Sequence, residues 1–266
     1  MKLDGDELAS YIKQRHAQEI RAMHVKPKLA IIMHTDAGVA TRTYVERTKK
    51  GYAQDVGADC EIHEVKLDQA GVIELINKLN HDTSVHGIIV QLPYPDVDID
   101  AVLSAVAPHK DIDGLNPESN FDMPTPQAIM WLLAAYNLEV KNKKVAVIGQ
   151  GRLVGKPVAD MLENSGAIII RCDDSTTDLA AVTMQSDIII SATGQAGLIT
   201  PSMVKSGSVI IGAGTSDIGG PTKGDLDKDL YTDESLKIAR NTGGVGPVTV
   251  AALFDNLLIA ARTFAS

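Results

Sequence analysis

The sequence predicts an α/β protein of two domains, and three observations carry that prediction. Helix-like and strand-like segments alternate through the first half, the pattern of a mostly parallel sheet covered by helices. A polar connector, NLEVKNKK at 137–144, then separates two such regions. Beyond it, the segment from Lys143 to Asp174 reads as strand, glycine-bearing turn, helix, strand and two acids.

In the first region a helix is expected near Asp6–Arg21, a strand at Lys28–Met33, a helix near Thr41–Val56 and a strand at Asp59–Glu64. A helix around Gln69–Leu79 and a strand at Gly87–Gln91 follow. Pro93, Pro95, Pro108, Pro117, Pro124 and Pro126 then mark irregular chain between Gln91 and Gln127, and a loop of that length in a compact protein is usually functional. A helix over about Thr125–Asn137 places Ile129, Leu132, Leu133 and Tyr136 at helical spacing. The second region adds strands at Val145–Ile148, Ala167–Ile170, Asp187–Ala192 and Ser208–Gly212, a glycine-rich turn at Gly243–Pro247 and a final helix, Thr249–Thr263.

Composition narrows the class. Among 266 residues, 44% are hydrophobic and 22% charged, as in a soluble globular protein. A net charge of −9 argues against nucleic acid or an anionic membrane as partner. No apolar run approaches the roughly 18 residues that span a bilayer, and the polar opening is no signal peptide, so a cytoplasmic setting is expected. Cys60 and Cys172 give no disulfide framework, and the seven scattered histidines lack zinc-site spacing, so no metal is expected.

The glycine turn carries the clearest chemistry. Gly149, Gly151 and Gly155 follow an apolar strand directly, so backbone N–H groups can approach a pyrophosphate and the helix beginning near Gly155 turns its positive end toward that anion. The spacing is one residue longer than the common dinucleotide fingerprint. Asp173, 24 residues after Gly149, is placed to meet an adenosine ribose.

Six ordered blocks add a resemblance: LNHDTSVHGIIVQLPYP at 79–95, KDIDGLNP at 110–117, TPQAI at 125–129, VIGQGRLVGKP at 147–157, GDLD at 224–227 and GGVGPVTVAAL at 243–253. Together they resemble the bifunctional methylenetetrahydrofolate dehydrogenase/methenyltetrahydrofolate cyclohydrolase family. The resemblance implies an N-terminal folate-binding α/β domain at 1–124, a connecting helix at 125–137, a Rossmann-type NAD(P)-binding domain at 138–246 and a terminal helix at 247–266 returning to the first domain. It implies a homodimer acting on tetrahydrofolate derivatives. Tyr44 would lie along the aminobenzoate, Gln91 would orient substrate or water, and Asp113 would accept paired hydrogen bonds from the pterin. Leu92, Pro93, Gly243, Gly244 and Pro247 complete the expected folate contacts. Gly149, Gln150, Gly151, Arg152, Val154, Gly155, Asp173, Asp174, Thr176, Thr193 and Gly194 form the expected cofactor contacts.

Departures from the family pattern set finer expectations. The family's catalytic lysine lies four residues after the tyrosine, where this chain has Thr48, which carries neither the charge nor the amine. On an α-helix Lys49 and Lys50 project away from that position. Hydride transfer depends mainly on positioning, so dehydrogenase activity is expected to persist while cyclohydrolase activity is weak or absent. Asp173 and Asp174 stand where NADP users tend to show His with Ser or Arg, so NAD is expected over NADP, with Arg171 as the caution because its guanidinium could reach a phosphate. Gly151 replaces a usual serine, Thr242 a usual proline, and the loop between Asn116 and Pro124 is short. Other readings stay open: the full bifunctional pair with Lys49 or Lys50 recruited by a shifted helix, a folate binder without turnover, and another two-domain NAD dehydrogenase.

Overall fold

The computed structural model describes residues 1–216 and 223–263. Its chain divides into two compact units, one of Met1–Ser10 with Thr125–Thr249 and the other of Tyr11–Pro124 with Val250–Ser266. The division differs from the expected domain limits. Residues 1–10 and the whole of 125–137 group with the later unit.

The 11–124 unit starts in α1 (Gly5–Ala22), which crosses the division, and continues through β1 (Lys28–His34), α2 (Val39–Thr43), a π-helical segment (Tyr44–Lys50), α3 (Gly51–Val56) and β2 (Asp59–Val65). It ends with α4 (Gln69–His81), β3 (Gly87–Val90) and α5 (Ile99–Ser104). The three strands form a parallel sheet in the order β2-β1-β3, with Leu29 opposite both Cys60 and Gly87. β3 is a buried run of Gly, Ile, Ile and Val, as expected of a strand covered on both faces. Ile76, Leu79, Ile88, Val102 and Leu103 pack together as its core on the α4 side. Asp68 caps α4 by accepting from Gly71 N at 2.9 Å, and buried Lys110 serves the other end by donating from Nζ to Leu79 O and Asp82 O. α5 lies inside the stretch expected to be irregular, and Asp98 caps it by accepting from the Asp100 and Ala101 amides.

The 125–249 unit contains α6 (Pro124–Ala135), β4 (Lys144–Ile148), α7 (Gly155–Asn164), β5 (Ile168–Cys172), α8 (Leu179–Gln185), β6 (Ile188–Ser191) and β7 (Val209–Gly212). A short antiparallel pair, β8 (Thr215–Ser216) with β9 (Lys223–Gly224), precedes β10 (Lys237–Ala239). Five strands make a parallel sheet ordered β10-β7-β6-β4-β5. β4 therefore lies between β5 and β6, and the chain leaves it in opposite directions across the sheet. Such a reversal opens a crevice at the carboxyl ends of the strands, where the glycine turn sits.

α9 (Val245–Thr263) begins four residues before the expected Thr249, because Pro247 is tolerated in a first helical turn. By length and composition α9 is apolar enough to cross a bilayer, contrary to the expectation that no such run exists, but 67% of that window is buried within the protein. Its 250–263 part packs as a core helix: Phe254 stacks on Tyr52 with ring centroids 4.6 Å apart, and Asn256 Nδ2 donates to the carbonyls of Ile112 and Asp122.

Candidate functional site

The Thr41–Val56 helix expected from sequence is wound in three ways, and the middle seven residues, Tyr44–Lys50, form a π-helix. A π-helix closes hydrogen bonds five residues apart instead of four, so the residue brought back over Tyr44 is Lys49 and not Thr48. Lys49 is 5% exposed. Its Nζ donates to Gln91 Oε1 at 3.0 Å and stands 5.5 Å from the centre of the Tyr44 ring. Gln91 Nε2 in turn donates to Leu92 O at 3.0 Å, which fixes the amide's orientation at the end of β3. The expectation that Lys49 projects away assumed α-helical winding; with π-helical winding Lys49 instead reaches Gln91, the placement that the shifted-helix alternative describes. Thr48 is partly exposed, and Lys50 is held at the surface by Glu46, 3.1 Å away.

Charge completes this cluster. Burial lowers the pKa of Lys49, while the Asp113 carboxylate opposes that shift. Burial and then Asp113 push the Tyr44 hydroxyl up to about 12, so it is a neutral donor at physiological pH. The structure thus brings Tyr44 and Gln91 together with Lys49, and the charge of Asp113 acts on both Tyr44 and Lys49. Leu92 and Pro93 follow, joined by a cis peptide bond.

Asp113 is carried on a turn anchored by Asp111, which is buried and accepts from Asn116 N at 2.8 Å. Burial pushes the Asp111 carboxyl up from 3.8 to about 6. A raised carboxyl pKa means the folded protein holds a proton that the unfolded chain has already lost between those values. Stability from this group is therefore greatest below 3.8 and is lost as pH rises through 6. Asp111→Asn keeps an oxygen for Asn116 and removes the buried charge. It is expected to stabilise the protein by about 1–2 kcal/mol at neutral pH, an advantage that disappears near pH 4. Denaturant melts at both values check this, and equal midpoints at neutral pH would contradict it.

In the 125–249 unit the glycine turn has the shape a dinucleotide requires. A Cβ on Gly155 would lie 1.7 Å from Gly149 O, so the start of α7 rests directly on the turn. Around Gly151 there is open space, with no atom within 4 Å of an added Cβ. Val154 occupies the N-cap position of the ten-residue α7 without a side-chain cap; Lys156 N donates back to Gly151 O at 3.2 Å and Pro157 has no N–H to satisfy, so the helix start is bonded to the turn. Gln150 Nε2 ties back to Val147 O at 2.9 Å, and Arg152 is exposed. These residues fit a bound nicotinamide dinucleotide.

The acids after β5 are exposed. Asp173 Oδ1 accepts from Ser175 N and Oγ, and Asp173 N donates to Thr176 Oγ1, so the loop is preset by its own side chains. Asp174 stands beside them. Arg171, whose guanidinium could have met a phosphate, donates to Asp160 and Glu163 at 2.7 and 2.9 Å. Thr193 and Gly194 follow β6, and Thr193 is fixed by Asp225, a residue sequence reasoning did not single out although GDLD was visible.

Gly243 and Gly244 are demanded first by packing. Gly5 N donates to Gly243 O at 2.9 Å, and a Cβ on Gly244 would lie 2.2 Å from Arg240 O. Pro247 lies in the first turn of α9.

Comparison with known proteins accounts for both clusters. Residues 3–113 match the tetrahydrofolate dehydrogenase/cyclohydrolase catalytic domain, and residues 123–265 match the NAD(P)-binding domain of the same family. The chain is 36% identical to the bifunctional protein FolD of Macrococcus caseolyticus, across 98% of this chain and 97% of that protein. It is similar to the crystal structure of the bifunctional enzyme from Campylobacter jejuni, with a TM-score of 0.93 and 34% identity over 99% of each chain. It is also similar to the Trypanosoma brucei enzyme complexed with NADP and inhibitor, with a TM-score of 0.93 and 30% identity over 99% of this chain and 97% of that one. The chain belongs to the tetrahydrofolate dehydrogenase/cyclohydrolase family.

Proposed function

We propose that the chain oxidises 5,10-methylenetetrahydrofolate to the methenyl form with NAD and hydrolyses the methenyl product through Lys49. The observation that carries this reading is the Lys49 Nζ to Gln91 Oε1 contact of 3.0 Å beside Tyr44. It favours the bifunctional pair over the dehydrogenase alone that Thr48 suggested.

The two reactions ask different things of the protein. The nicotinamide, when bound, accepts a hydride, and the chain's own part is to orient the folate carbon. Asp113 accepts from the pterin's N–H groups, and the Tyr44 ring lies along the aminobenzoate. Hydrolysis also needs a group that takes a proton from water as its oxygen adds to the methenyl carbon, then returns it. A lysine whose pKa is lowered by burial is suited to that exchange, and the Gln91 amide is suited to hold the water. Intact glycine turns weigh against a folate binder without turnover.

For NAD over NADP, the support is electrostatic. Asp173 and Asp174 place negative charge where a 2′-phosphate would lie, and Arg171 is already paired with two acids. Homodimer formation and a cytoplasmic setting belong to the same proposal, the first resting on the resemblance alone and the second on composition alone.

Following reduced cofactor and methenyl decay separately tests the reading. The wild type is expected to show both activities, with kcat/KM for NAD at least about tenfold above NADP, since removing one matched charge interaction is worth about that factor. Absence of methenyl hydrolysis would restore the dehydrogenase-only reading, and a preference for NADP would overturn the cofactor assignment.

A further inference from the structure

Asp225 is fully buried in the 125–249 unit, immediately after β9. Its Oδ2 accepts three hydrogen bonds, from Ser191 Oγ at 2.7 Å, Thr193 N at 2.8 Å and Thr193 Oγ1 at 3.1 Å. Its Oδ1 is buried and has no hydrogen-bond partner among the described residues. Ser191 ends β6, and Thr193 leads into Gly194, whose φ is +70°. One carboxylate therefore fixes the whole turn at the carboxyl end of β6.

That turn is continuous with the cofactor cradle. A Cβ on Gly149 would meet Ala192 O at 2.7 Å, so the glycine turn and the 191–194 turn rest on each other. A Cβ on Gly214 would lie within 2.5 Å of both Asp225 oxygens and of Gly194 N, so the chain beyond β7 closes on the same point. Gly224 and Leu226, on either side of Asp225, line a cavity of about 800 Å³ together with Tyr231 and Asn241. The cavity thus borders the segment that carries Asp225, beyond the carboxyl ends of β6 and β10.

The uneven satisfaction of the two oxygens is informative. A carboxylate serving only as a structural anchor is normally satisfied on both oxygens, and leaving one dry and without a donor is costly. The cost is tolerated where surrounding structure holds a group in place for function. We propose that Asp225 is a positioning residue for hydride transfer: it holds the 191–194 backbone against the nicotinamide end of the bound cofactor, acting through Ser191 and Thr193. This rests on the dinucleotide reading above.

Asp225→Asn tests it, because the amide is nearly the same size but a weaker acceptor for three donors. The variant is expected to lose about tenfold or more in dehydrogenase kcat, with a rise in the deuterium isotope effect on oxidation of substrate labelled at the methylene carbon. Methenyl hydrolysis and the melting temperature should stay near wild type. Ser191→Ala, which removes one of the three donors, should move the same way by a smaller factor and decides the matter if Asp225→Asn does not fold. Parallel loss of both activities in a variant, or an unchanged kcat and isotope effect, would overturn the proposal. No oxidation by the wild type with either cofactor would sink the underlying reading as well, a result distinct from an active wild type with an unimpaired variant.

Discussion

Lys49→Ala is expected to lower methenyl hydrolysis by about 10²- to 10⁴-fold, the usual contribution of a positioned proton-transfer group. The truncation removes the only amine that reaches Gln91 among the described residues, and neither neighbour replaces it: Thr48 carries no amine and Lys50 is tied to Glu46. Dehydrogenase activity should fall far less, because its main demand is orientation of the folate. Thr48→Ala serves as the control and is expected to leave hydrolysis within about twofold of wild type, as for a substitution that removes no reacting group. Steady-state decay of methenyl substrate checks both variants. If Thr48→Ala were the damaging change and Lys49→Ala harmless, the π-helical register would be irrelevant to catalysis.

Gly155→Ala should have the opposite selectivity. The added Cβ would sit 1.7 Å from Gly149 O and 2.8 Å from Gly149 C, too close for any rotamer to relieve, so the turn itself must move. A displacement on the order of 1 Å in a positioning element costs about 10²-fold, and that loss is expected in NAD affinity and in dehydrogenase kcat/KM. Gly151→Ala meets no protein atom within 4 Å and places a Cβ where the family usually has serine, so it should reduce NAD affinity far less than Gly155→Ala. Titration of NADH fluorescence distinguishes the two, and wild-type affinity in Gly155→Ala would show that the turn does not hold the cofactor. Methenyl hydrolysis provides an internal check that Gly155→Ala remains folded.

The sheets were legible because their strands are short β-branched runs buried on both faces, as in Ile88–Val90, Ile188–Ile190 and Val209–Ile211. α5 and α8 escaped notice. Each is at most seven residues long, and α5 lies among prolines, so their clearest marks were the capping acids Asp98 and Asp178. β10 has only three residues and owes its pairing to β7 beside it. At the site, Tyr44, Gln91, Asp113 and the glycine turn were readable as motif positions. Lys49 was readable only as one of two alternatives beside Lys50, because its place depends on the winding of the helix and on a contact with a residue 42 positions away. The visible clue was a buried-type position five residues after the tyrosine. Asp225 was hidden for a related reason: a carboxylate's worth depends on what folds around it.

The wide turn at Tyr44–Lys50 also changes how this protein should be compared with its kin. Backbone winding, rather than residue count, determines which side chain arrives at the reaction centre. A lineage that gained one residue in this helix could keep its chemistry by letting a single turn expand, with no compensating substitution elsewhere. In a comparison by residue count such a chain shows a threonine four residues after the tyrosine; followed along its winding, it presents a lysine at the fifth.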